Sequence, residues 1–74
     1  MKKTQKGTPH PQNPNITEWF SPDGGRVLQR IPSRYGSLGS YRFGMILENG
    51  GVILDDARYS EDRWNLGYLL DLLK

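Results

Sequence analysis

The clearest alternation of apolar and polar residues lies in residues 41–48. On one face of an extended strand there, every side chain is apolar: Tyr41, Phe43, Met45 and Leu47. Asn49-Gly50 follows, and this dipeptide favours a tight hairpin because both central positions of a type I′ turn need positive φ. The pattern predicts a β-hairpin whose second strand covers residues 52–56 and whose register is set by the turn.

A second hairpin is predicted upstream. Residues 16–20 are rich in β-branched and aromatic side chains, residues 21–25 have the composition of a turn, and residues 26–31 continue as a strand before a proline. On the predicted strand of residues 26–31, the more apolar face holds Val27, Gln29 and Ile31. Arg26 and Arg30 are therefore expected to point away from the better apolar face.

The end of the chain has the pattern of an apolar helix that begins at Ser60. Serine is a good N-cap, acidic residues follow it at the amide end, and Lys74 lies at the carbonyl end. The apolar residues spread over an arc of about 240°, whereas an ordinary surface helix needs about 100°. They are Trp64, Leu66, Tyr68, Leu69, Leu70, Leu72 and Leu73. A helix this apolar must be covered on more than one side.

The two sides of this helix are expected to meet different surfaces. The side expected to pack on the domain's own strands holds Trp64, Tyr68 and Leu72. The side expected to form an oligomer interface holds Leu66, Leu70 and Leu73. Because large exposed apolar patches in soluble proteins usually meet a partner, we predict a homodimer at micromolar concentration.

The order of these elements predicts an α+β domain over residues 15–74. We expect a small four-stranded, mainly antiparallel sheet, made of two β-hairpins, with the C-terminal helix packed on one face. The alternative is a small bent β-barrel capped by the helix. Residues 1–14 hold three lysines and almost no apolar side chain, so they are predicted to form a flexible basic tail.

The residue counts exclude several classes of function. The chain has no cysteine, which excludes disulfides and thiolate metal sites. Its one histidine, His10, lies in the predicted tail, so a histidine-based catalytic triad or a multi-histidine metal site would need a partner chain. The acidic cluster at residues 55–56 and 61–62 is better explained by strand alternation and helix-start chemistry. We therefore expect no enzymatic activity, metal or cofactor. The longest apolar runs are far shorter than the roughly 20 residues that span a bilayer, which predicts a cytoplasmic protein without a membrane partner.

The formal net charge of +2 conceals a segregation of charge along the chain. Residues 24–47 hold four arginines and no acid, whereas residues 48–74 hold six acids and three bases. Cations mixed with aromatic residues are typical of a surface that binds phosphates and stacks bases. The candidate surface for a partner or a nucleic acid consists of Arg26, Arg30, Arg34, Tyr35, Tyr41 and Arg42. The alternative interpretation is that the aromatic residues are core and the arginines pair with the later acids.

Two functions agree with these features. The first is a small non-enzymatic interaction module that binds and regulates or inhibits a larger protein, in a chain whose composition resembles that of short bacteriophage and mobile-element products. The alternative is a protein that binds single-stranded DNA or RNA through the surface of arginine and aromatic residues, with the lysine-rich tail adding phosphate contacts.

Overall fold

An antiparallel sheet with one C-terminal helix on its face makes up the fold in the computed structural model, which describes residues 7–33 and 38–74. The elements are β1 (Thr8–Pro9), β2 (Thr17–Phe20), β3 (Arg26–Ile31), β4 (Ser40–Ile46), β5 (Val52–Leu54), β6 (Tyr59–Ser60) and α1 (Leu66–Leu73). The strand order is β1-β2-β3-β4-β5, and β6 pairs with β4. The predicted α+β class, antiparallel pairing and terminal helix are confirmed. The sheet is open in this part of the chain, so the barrel alternative is wrong.

Two short strands were missing from the predicted sheet of four. Strand β1 pairs with β2 inside the range predicted as a tail, and β6 pairs with the start of β4. Each has two residues, too few to show an alternating pattern. Pro9 lies in β1 at the sheet edge, where proline is tolerated because no ladder hydrogen bond is lost there. Residues 1–6 of the predicted tail lie outside the described ranges.

The turn between β2 and β3 forms where Ser-Pro-Asp-Gly-Gly predicts it. The Ser21 hydroxyl donates to Asp23 Oδ1 at 2.6 Å, and the Gly25 amide donates to the same oxygen at 2.9 Å. These two hydrogen bonds hold the pKa of the Asp23 carboxyl below its usual value. Gly24 adopts φ +75°, a conformation that favours glycine.

The helix begins at Leu66 and not near Ser60 as predicted. Asn65 is the N-cap, with its side-chain oxygen accepting from the Gly67 amide at 2.7 Å. Ser60 belongs to β6, where it pairs with Ser40 of β4. Its hydroxyl donates to Asp62 within a turn. Strand pairing therefore uses the segment that local capping chemistry assigns to the helix.

The core lies between α1 and one face of strands β2, β3 and β4. Its buried residues are Trp19, Leu28, Tyr41, Phe43, Leu69 and Leu73. Leu28 lies opposite Phe43, so the helix covers the face of β3 that also carries Arg26 and Arg30. The two arginines do point away from the face of Val27, Gln29 and Ile31, as predicted, but that face is not the one that the helix covers. They fit because they flank the helix: Arg26 Nη1 donates to the Leu72 carbonyl at 3.1 Å, and Arg30 pairs with Glu61 at 2.8 Å.

The helix packs through the side that the sequence assigned to an oligomer interface. Residues spaced as a single helical stripe face the sheet: Leu66, Leu69, Leu70 and Leu73. The opposite side, with Trp64 just before the helix, is exposed at Trp64, Tyr68 and Leu72. Leu73 is buried in this packing, so the assignment of Leu73 to an intermolecular contact is corrected. Leu66 and Leu70 are only partly buried against the core, and their assignment to such a contact stays a prediction. A homodimer itself stays a prediction.

Candidate protein-interaction surface

Strands β4 and β5 form the predicted hairpin around Asn49-Gly50, with a different turn. Leu47 pairs with Gly51, since the Leu47 amide donates to the Gly51 carbonyl at 2.7 Å. The loop therefore has three residues rather than two. Within this loop only Gly50 takes a positive φ, +90°, whereas a type I′ turn needs a positive φ at two positions. Asn49 contributes through its side chain, which accepts from the Gly51 amide at 2.8 Å.

The apolar residues of this hairpin are largely exposed. We call them the hairpin surface: Met45, Leu47, Val52, Ile53 and Leu54. Met45 and Ile53 are each 58% exposed and lie side by side in the register of the two strands. Strand β5 carries no charged residue, no proline and no bulge, the usual devices that protect a sheet edge. An exposed apolar patch of this kind is typical of a binding site.

A groove of about 330 Å³ opens on the hairpin surface. Its lining is Arg26, Phe43, Gly44, Met45, Ile53, Leu54 and Asp55. The strand register places Arg26, Met45 and Ile53 in one row on the helix-bearing face. The Arg26 guanidinium lies 5.5 Å from the centre of the Phe43 ring. The groove thus offers an apolar floor with one cation and one carboxylate, a combination that suits an apolar side chain flanked by polar groups.

A chain of aromatic contacts links the core to the exposed side of the helix. Phe43 meets Tyr59 edge to face at 5.6 Å between ring centres, and Tyr59 meets Trp64 in the same way at 5.0 Å. Trp64 then lies 5.9 Å from Tyr68, which is exposed. Tyr59 pairs with Tyr41 of β4, so this aromatic chain lies on the helix-bearing face, which the groove also occupies. The aromatic contacts therefore connect the buried Phe43 to the exposed Trp64 and Tyr68.

The residues of the surface predicted from arginine and aromatic side chains do not gather on one face. Arg26 and Arg30 flank the helix, and Tyr41 is buried in the core. Arg42 lies on the opposite face of the sheet, since its register partner is Gln29. Arg34 and Tyr35 lie outside the described residues.

Arg42 belongs to a polar ladder across three strands on the face without the helix. Its Nε donates to Gln29 Oε1 at 2.9 Å, and Gln29 Nε2 donates to Glu18 Oε2 at 2.8 Å. Burial lowers the pKa of Arg42, and the nearby cation of Arg58 lowers it further. The sequence analysis predicted neither the polar ladder nor the exposed edge of β5, because both depend on which strands are neighbours in the sheet.

No known protein family, curated protein sequence or solved structure matches this chain. Across residues 7–33 and 38–74, no three histidine, aspartate or glutamate side chains are grouped so that they could hold a metal ion. In the same ranges, no helix has the length and apolar character needed to cross a membrane.

Proposed function

We propose that this protein is a non-enzymatic interaction module that binds a larger protein and regulates it through that contact. The observation that carries the proposal is the hairpin surface, where apolar side chains from two adjacent strands are exposed at a sheet edge. Exposed apolar groups of this density are costly in water and are stabilised by a partner that buries them.

The size and chemistry of the surface support a protein partner. A standard interface takes about 800 Å² from each partner, which is a modest share of the 5713 Å² that this chain exposes. Aromatic residues and methionine are enriched at the centres of such interfaces, and this face offers Trp64, Tyr68 and Met45. By contrast, Arg26 and Arg30 already have partners within the domain, so fewer cations are left for phosphate groups.

A matched pair of charge substitutions tests this function. Met45→Glu places a carboxylate beside the groove, and Phe20→Glu places one at an exposed strand position on the opposite face. The variants are used as bait in a lysate of the cells that naturally make this protein. The wild type and Phe20→Glu should each retain the same partner protein in a stoichiometric amount. Met45→Glu should bind it at least about tenfold more weakly, as expected for an interface residue worth more than about 1.4 kcal/mol.

Two outcomes would count against protein binding at this face. Equal retention by Met45→Glu and Phe20→Glu would show that the groove is not the site. Loss of the captured material on nuclease treatment, with binding that weakens steeply as salt is raised, would favour the nucleic-acid alternative.

A further inference from the structure

The outer edge of β5 has no neighbour among the strands of the described sheet, and its backbone groups alternate in direction. The Leu47 amide donates to the Gly51 carbonyl, and the Asp55 amide donates to the Phe43 carbonyl at 2.9 Å. In an antiparallel ladder the backbone N–H and C=O groups of alternate residues point to the same side. Ile53 lies midway between Gly51 and Asp55, so its backbone groups also point towards β4. The N–H and C=O groups of Val52 and Leu54 therefore point outward.

We propose that β5 pairs with β5 of a second copy of this chain, antiparallel, about a two-fold axis at Ile53. This register places Val52 opposite Leu54 of the second copy, and Leu54 opposite Val52. Such opposed residues exchange both hydrogen bonds, so the outward amides and carbonyls of both residues are satisfied in each copy. Ile53 then occupies the non-hydrogen-bonded position, where side chains approach most closely.

The flanking residues fit this register. Asp55 falls opposite Gly51 of the second copy and Asp56 falls opposite Gly50, so no acid faces an acid. A parallel pairing in register would instead place each aspartate beside the same aspartate of the second copy. Like charges that lie directly opposite each other destabilise a sheet. The distribution of glycine and aspartate around β5 thus favours antiparallel self-pairing.

Self-pairing would also cover the most exposed apolar groups of the strand. Ile53 of each copy would contact its counterpart, with Met45 beside it in the same row. On the face of the sheet without the helix, Val52 would pack against Leu54 of the second copy. Within one copy, the side chains of Val52 and Leu54 already lie close to Gly44. This assembly goes beyond the proposed function and does not depend on it, because it requires no other protein.

Single cysteines test the register, since the natural chain has none. In Ile53→Cys the two Cα atoms would be about 4.5 Å apart, within the range that a disulfide spans. In Val52→Cys and Leu54→Cys the two cysteines would lie on a diagonal of about 7–8 Å, too far for an unstrained bridge. Under mild oxidation, purified Ile53→Cys should become mainly a covalent dimer, and the two control variants should remain mainly monomeric.

The unmodified protein supplies the second measurement. Sedimentation equilibrium of the purified wild type should show a reversible dimer. At concentrations where the protein is monomeric, the three reduced variants should unfold at temperatures close to the wild type, because the replaced side chains are exposed in the single chain. A wild type that stays monomeric at its highest soluble concentration would overturn the proposal. So would equal cross-linking of the three variants, or cross-linking of Ile53→Cys only after another protein is added. The two proposals remain distinguishable because these results measure self-association of the purified chain, whereas the comparison of Met45→Glu with Phe20→Glu measures binding to another protein.

Discussion

Leu69→Ala is expected to remove most of the stability of the domain, with a loss of about 2–5 kcal/mol in the free energy of unfolding. Leu69 is fully buried, at 0% exposure, in the core between α1 and the sheet. Truncation there removes apolar contacts and leaves a cavity. A domain of this size has a small free energy of unfolding, so a loss of this size approaches the total. Urea unfolding followed by tryptophan fluorescence measures it.

Leu72→Ala is the matched control on the same helix. Leu72 is 44% exposed, and a substitution at such a surface position usually changes the free energy of unfolding by no more than about 0.5 kcal/mol. Both variants carry the same chemical change and the same helix propensity. A larger loss for Leu72→Ala than for Leu69→Ala would mean that the helix meets the sheet through the other side, as the sequence pattern alone suggested.

Gly39→Ala is expected to destabilise the domain by about 1–3 kcal/mol, as overpacking of a closely packed site does. A Cβ atom at Gly39 would lie 2.5 Å from the backbone carbonyl oxygen of Ile31, which cannot rotate away. It would also lie 3.2 Å from Glu61 Oε2, the atom that pairs with Arg30. The strain therefore falls on the end of β3 and on the ion pair beside the helix. A lower midpoint of thermal unfolding is the expected readout.

Gly25→Ala provides the comparison for this effect. The nearest atom to a Cβ there is a carboxylate oxygen of Asp23 at 3.5 Å, an ordinary contact. The φ of Gly25 lies outside the left-handed region, so alanine is accommodated. If Gly39→Ala were as stable as Gly25→Ala, the close approach of Gly39 to β3 would be contradicted.

Local sequence patterns were sufficient for the elements but not for their arrangement. The alternation from Tyr41 to Leu47 and the apolar run at the end of the chain correctly predicted a hairpin and a helix. The start of the helix was wrong because Tyr59 and Ser60 pair with β4, and a two-residue pairing leaves no periodic signal. Tertiary pairing therefore overrode a good local capping signal.

The side of each element that faces the core also depended on tertiary structure. On β3, Val27 and Ile31 made one face more apolar, yet the helix covers the face of Leu28. Arg26 and Arg30 could share that face because their long side chains reach polar partners at its margins: the Leu72 carbonyl in the last turn of the helix and the Glu61 carboxylate before the helix begins. A count of apolar residues on each face of a strand cannot predict that arginines lie on the face that the helix covers.

The exposed apolar edge that we propose as an interaction surface could have been suspected from one feature of the sequence. Val52, Ile53 and Leu54 are consecutive apolar residues in a short strand, so both faces of that strand must be covered. Whether neighbouring strands or a partner cover them depends on the position of the strand in the sheet. Strand order places β5 at an edge of the described sheet, so its apolar residues are exposed instead of buried between strands.

Site-specific photo-cross-linking in the producing cells tests the central claim, that the groove face of the hairpin binds another protein. A photoreactive side chain replaces Met45 in one variant and Phe20 in the other, at exposed positions on opposite faces of the sheet. We predict a discrete adduct with a larger protein for the Met45 position and none for the Phe20 position. Adducts of equal yield at the two positions, or adducts at Met45 that contain only a second copy or a nucleic acid, would contradict the claim.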